Sequence, residues 1–170
     1  SAIAAISFTW SIGVVRKAVV LSRLPLWARP AAGMFVVGVI AIFFPQILGV
    51  GYEATDEALN QVLTLEMLVI LAILKTAATA LTLGSGAGGG VFSPSLFIGA
   101  MVGGAFGVIA TIVFPDLSSG HSAYTLVGMG AVAGAVLGAP MSTILMVFEL
   151  TGDYELTIGV MIATVISSQV

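Results

Sequence analysis

Apolar residues run in long blocks along this chain, and polar ones gather at the joints between them. Six apolar stretches fall at about 1–21, 31–48, 65–83, 91–115, 122–138 and 140–170, the last divided near Asp153. A straight helix needs roughly twenty apolar residues to cross a bilayer. Several stretches are shorter, and others break at glycine or proline, as at Gly138-Ala-Pro140. The pattern predicts an all-α, multi-pass membrane protein with broken, tilted helices. Short or Gly/Pro-interrupted segments point to transporter-like folds with sites near the midplane. Ordinary kinked membrane helices are the plainer alternative. Two breaks, one of them very rich in glycine, weigh against it.

Composition supports the membrane class. Hydrophobic residues make up 59% and charged residues 8%, where a soluble domain carries about a quarter charged. No Asp, Glu, Lys or Arg occurs between Lys75 and Asp116, nor between Asp116 and Glu149. A soluble domain could not cover its surface with so few charges. The net charge of −3 sits in loops and signals no partner, and no nucleic-acid partner is expected. With no cysteine there is no disulfide and no thiolate metal site. The chain starts at Ser1 inside an apolar stretch, without a basic leader, and stops at Val170 without a polar tail. We expect a piece of a longer protein, with 1–170 forming part of a single transmembrane domain.

Charge gives an orientation. Arg16, Lys17, Arg23 and Arg29 are four of the five basic residues and lie in or just before the loop 22–30. The positive-inside rule makes that loop cytoplasmic, with Trp27 at the headgroups. The loop 49–57 is acidic and should face the other side. Two glycine ladders recur at helical spacing, Gly99, Gly103 and Gly107, then Gly130, Gly134 and Gly138. Small residues four apart let helices pack backbone to backbone in lipid. Glycine is frequent in membrane helices anyway, but two ladders of three favour close packing.

The densest signal is Gly84-Ser-Gly-Ala-Gly-Gly-Gly-Val-Phe-Ser-Pro94, with five glycines before a phenylalanine and a proline. Glycine lets the backbone turn freely and lets another group approach it closely. Proline favours the first turn of a helix, where its missing N–H costs nothing. A helix therefore starts here, inside apolar sequence. Orphan N–H groups at such a start attract anions. Irregular backbone at membrane depth survives only when buried in protein or lining a cavity. These rules together predict an anion site. Gly84 to Gly89 also matches G-x-G-x-x-G. A dinucleotide site would need a preceding strand and an acid about twenty residues on. Position 109 is Ile and the segment before is membrane-like, so a nucleotide-binding membrane enzyme stays a remote alternative. A P-loop fails because no Lys-Ser/Thr follows.

Other candidates carry plainer readings. Lys75 lies inside an apolar segment, where an ionisable residue is a functional candidate by default. It could face an anion pathway, pair with an acid, or bind helix C-terminal carbonyls; the structural roles stand slightly ahead. Glu149, Asp153 and Glu155 flank a Thr-Gly turn and fit a solvated loop better than a cation or proton site. His121, beside Ser118-Ser-Gly120, reads as a loop residue. No Ser/His/Asp or metal-binding constellation is visible, and neither an enzyme activity nor a cofactor is expected.

Gly89-Gly-Val-Phe-Ser-Pro94 resembles the G-x-F-x-P motif of the CLC family of chloride channels and chloride/proton exchangers. Leu48-Gly-Val-Gly-Tyr52, Lys75 to Ser85, Pro94 to Ala100, and Met129 through Ala139-Pro-Met-Ser-Thr to Phe148-Glu-Leu-Thr-Gly-Asp-Tyr154 resemble CLC segments in the same order. The resemblance covers nearly the whole chain. It implies one half of an inverted-repeat transmembrane domain, the second half, roughly helices J to Q. It implies that the amides of Val91 and Phe92 help coordinate chloride and that Gly90 gives close access; from glycine's conformational freedom we also expect φ > 0 at Gly90. A neutral backbone site permits both binding and release. The resemblance also implies a homodimer through about 140–170 and residence in the plasma or inner membrane. The family's Ser-bearing motif, gating glutamate motif and internal proton-transfer acid belong to the first half. Its pore tyrosine lies just past Val170. Channel and exchanger are both open, and an unrelated anion carrier is the alternative within transport.

Overall fold

The computed structural model describes residues 1–22, 25–113, 120–152 and 154–169. Arg23, Asp116, Ser118 and Asp153, all named above, lie outside the described residues. The chain folds as α1 (Ala2–Leu21), α2 (Ala28–Phe43), α3 (Tyr52–Leu59), α4 (Leu65–Gly84), α5 (Phe92–Val113), α6 (His121–Leu137), α7 (Pro140–Thr151) and α8 (Tyr154–Ser168). A 3₁₀ turn, Pro45–Ile47, joins α2 to α3. No strand occurs among the described residues, and the all-α expectation holds. Among the described residues only α1, α4 and α5 are long and apolar enough to cross a membrane unaided, at 20, 20 and 22 residues. The other apolar helices are shorter, as the interrupted pattern predicts. Phe35, Ile73, Phe106 and Ile112 are exposed, which suits a chain whose outer surface meets lipid rather than water.

Three places depart from expectation. The apolar stretch 31–48 stops being α-helical at Phe43, because Phe44 precedes Pro45 and leaves the α region (φ −133°, ψ 78°), which proline disfavours for the residue before it. The acidic segment 49–57, expected as a loop, contains most of α3. Gly51 opens that helix in the left-handed region (φ +83°), and Ala54 and Ala58, four apart, bury one face. Glu53 lies in the first turn, where a carboxylate complements the helix dipole. His121 likewise begins α6 rather than sitting in a loop.

Packing follows the small residues. Leu68, Leu71 and Ala72 of α4 share a core with Phe97 and Met101 of α5 and with Ala54 and Ala58 of α3. Ala5 and Phe8 of α1 pack with Ile98 of α5 and Val132 of α6. The Gly99–Gly103–Gly107 ladder meets α6 at His121, Tyr124 and Gly128, backbone against backbone. Gly130 and Gly134 meet Val160 and Thr164 of α8. Gly138 does not pack as the ladder predicts. It is the left-handed C-cap of α6 (φ +63°) with open space where a Cβ would be. Glycine at that cap satisfies the backbone's turn, and Pro140 starts α7 at once.

Candidate anion-binding site

The site is built by a helix that begins partway along its neighbour. Helix α4 closes with amides of Ser85, Gly86 and Ala87 donating to the carbonyls of Leu81, Leu83 and Thr82. Gly86 makes the turn at φ +85°. Here α4 lies against α1: a Cβ on Gly84 would fall 2.6 Å from Val15 Cγ1 and 3.0 Å from the Arg16 amide. The chain then leaves helix until Phe92. At that point the Ser93 hydroxyl donates to the Val50 carbonyl at 3.1 Å. The flanking carbonyls of Ile47 and Gly49 each accept from Lys75 Nζ at 2.8 Å. Lys75 lies nine residues before Gly84, which is about 14 Å at 1.5 Å per residue. So the glycine-rich segment turns back along α4 and starts α5 near α4's midpoint.

That start carries free donors. The Val91 carbonyl accepts from the Ser95 amide at 3.1 Å, and none of the described residues accepts from the amides of Gly88 to Ser93. Pro94 has no N–H to place. Neither serine caps the helix, because Ser93 donates to Val50 and Ser95 donates to the Phe92 carbonyl at 2.6 Å. The first turn holds no acid. The positive end of the helix dipole is therefore unopposed, a setting that favours an anion. The Val91 side chain turns inward against the cluster of Phe8, Ile98 and Val132, leaving its amide as the group with chemistry to offer. Gly88, Gly89 and Gly90 are exposed. A cleft of about 200 Å³ runs beside them, lined by Gly89, Gly90, Pro94, Lys75 and Leu48 among others.

The structure corrects one detail at Gly90. Its φ lies outside the left-handed region, and within the segment only Gly86 adopts positive φ. A Cβ at Gly90 would meet nothing within 4 Å. Glycine there leaves the approach to the amides clear rather than permitting a special backbone conformation. The dinucleotide fingerprint fails on context, since helix α4 and not a strand precedes Gly84. Lys75 binds two carbonyls, one of them at the end of the 3₁₀ turn, which is the structural role weighed for it. Glu149 is exposed but lies inside α7, and Glu155 lies inside α8, rather than in the loop expected for them, because α7 runs on to Thr151 and α8 starts at Tyr154. Among the described residues no group of His, Cys, Asp and Glu is placed to hold a metal. The inference from sequence missed Ser93 and the segment 47–51 as partners of the site. A lysine in apolar sequence without a nearby acid was the available signal, because it must find carbonyls, and a two-glycine loop exposes them.

Comparison with known proteins bears on the same residues. The family model described as "Voltage gated chloride channel" matches residues 1–170. The chain belongs to the voltage gated chloride channel family. The "Putative chloride channel protein ClcB-like" of Ralstonia nicotianae is 36% identical over 150 residues, covering 88% of this chain and 35% of that protein. The "Voltage-gated ClC-type chloride channel ClcB" of Escherichia coli O17:K52:H18 is 36% identical over 153 residues, covering 90% of this chain and 36% of its own length. The chain thus spans about a third of the length of the curated relatives it matches. Members of this family are membrane proteins, in keeping with the helices described above.

Proposed function

We propose that this chain forms part of a chloride-transporting membrane protein, a channel or a chloride/proton exchanger, and that the anion is held by the backbone amides of Val91 and Phe92 beside Gly90. The observation that carries the proposal is the start of α5 near the midpoint of α4, with unpartnered amides and no acid in its first turn. Donors of partial charge hold an anion loosely enough to release it. Family membership supports chloride as the cargo, since the relatives above are named as chloride channels. The eight α-helices among the described residues match in number the elements J to Q that the resemblance implies, which supports reading the chain as the second half. Met141, Leu145, Ile158 and Ile162 of α7 and α8 are exposed, apolar surface that a homodimer contact through 140–170 would cover, and the bacterial relatives support an inner or plasma membrane.

Chloride binding by calorimetry on the intact parent protein tests this. Val91→Ile keeps the amide and should leave affinity within a few fold. Gly90→Val puts bulk on the approach without disturbing a packed neighbour, and should weaken binding by more than about tenfold, the scale of overpacking a filled site. Phe92→Ala keeps the amide but loosens its aim, and should fall between. Binding abolished by Val91→Ile and untouched by Gly90→Val would place chloride elsewhere.

A further inference from the structure

Lys75 is 3% exposed at the middle of α4. A buried ammonium in apolar surroundings is costly unless its donors are satisfied. No carboxylate lies within ion-pairing distance of it among the described residues, and its partners are the carbonyls of Ile47 and Gly49, at 2.8 Å each. Its Nζ also stands 4.8 Å from the centre of the Phe97 ring, within range of a cation–π contact. A methionine would fill the same space without the cost. What the charge adds is a grip on two carbonyls.

The gripped segment leads to α5. Gly49 and Gly51 both take positive φ, +61° and +83°. The backbone from Ile47 to Val50 presents the carbonyls of residues 47 and 49 to Lys75 and that of Val50 to Ser93. Gly51 lies on the Phe97 ring, where a Cβ would come 2.7 Å from Cε2. So one short segment is bound to α4 through Lys75 and to α5 through Ser93 and Phe97. Ser93 directly follows Phe92, whose amide belongs to the proposed site.

We infer that Lys75 is a positioning residue for that site: by binding the carbonyls of Ile47 and Gly49 it fixes the segment Leu48–Gly51, which through Ser93 sets the first turn of α5 and the aim of its amides. This rests on the proposed chloride site at Val91 and Phe92. A competing role is direct attraction, because Lys75 lines the same cleft as Gly89 and Gly90. The two roles differ in one respect. Positioning requires the Ser93 link, and direct attraction does not.

A double-mutant cycle on the intact parent protein separates them, read as chloride affinity by calorimetry with thermal unfolding followed in parallel. Lys75→Met should weaken chloride binding about tenfold, the scale of losing a hydrogen bond to a charged group. Lys75→Arg should stay within about threefold of wild type, because a guanidinium also donates to two acceptors. Ser93→Ala should cost about threefold, the lower part of the range for a single hydrogen bond. In the double variant the losses should not multiply: Lys75→Met in the Ser93→Ala background should cost clearly less than in wild type, as coupled sites do. Losses that multiply would overturn positioning in favour of direct attraction. Ser93 is only half-buried, so Ser93→Ala folds whatever Lys75→Met does, and unchanged affinity in it alone would overturn the proposal. A wild-type parent that binds no chloride would instead remove the site reading beneath it.

Discussion

Glycines of one segment do different work, and Gly86 and Gly90 make the contrast testable. Gly86 holds φ +85° and has open space around it. Gly90 has the same open space without the positive φ. An L side chain in the left-handed region costs roughly 1–2 kcal/mol even with nothing to clash against. Gly86→Ala should therefore lower the thermal stability of the parent protein by a few degrees, through the turn that closes α4. Gly90→Ala should leave stability unchanged and spend its effect on chloride affinity. Thermal unfolding and chloride binding, measured on both variants, check the division. Equal loss of stability in both would mean that the segment is held by packing rather than by its turn. The same logic separates the two parts of Val91: its side chain packs against the α1–α5–α6 cluster and its amide belongs to the proposed site, so Val91→Ile should change packing more than chloride affinity.

Between elements, the decisive contact is α5 on α6, and its most restrictive residue is Gly128. A Cβ there would fall on the Gly99 carbonyl and 2.7 Å from Gly103 Cα. Gly128→Ala should abolish a monodisperse, cooperatively unfolding protein, because the obstacle is backbone that cannot rotate away. Gly38→Ala should be neutral or mildly stabilising, since nothing lies within 4 Å of that position and alanine is the better helix former by about 1 kcal/mol. Size-exclusion profiles and unfolding midpoints in detergent decide the matter. Failure of Gly38→Ala alongside survival of Gly128→Ala would reverse the assignment of the interface. Gly128 was not visible in the four-residue ladders because α6 has two small-residue faces. Gly128 and Gly130 are two residues apart, or about 200° around a helix, so one faces α5 while Gly130 faces α8. Spacing finds one face at a time. The helical class, the breaks at 84–92 and 138–140, and the start of a helix just before Pro94 were legible because they rest on missing charge, glycine and proline. Helix α3 was not, because its buried face is two alanines whose burial depends on the packing of α3 against α5 and α6. Nor was the Ser93–Val50 bond, which joins residues forty-three apart.

At the scale of the whole molecule the charges separate along α4, and the separation fixes an orientation. Glu66 stands in the first turn of α4, directly after α3 with Glu53 and Asp56. The other end, Gly84, rests on α1 at Val15 and Arg16, next to Lys17. Twenty residues at 1.5 Å each put these ends about 30 Å apart, the thickness of a bilayer's apolar core. Arg29 lies in the first turn of α2, and the exposed Leu26 and Trp27 precede it, a position suited to the headgroup layer. The basic end should therefore be cytoplasmic and the α3 end should face outward. The chain has no cysteine, so single cysteines within it report unambiguously once any in the rest of the parent are removed. Ser22 and Asp56 are both exposed. In intact cells Ser22→Cys should resist a membrane-impermeant thiol reagent and label only after permeabilisation, whereas Asp56→Cys should label at once. The opposite pair of results would invert the orientation. Labelling of both from outside would mean that α1 and α4 do not carry these ends to opposite faces of the membrane.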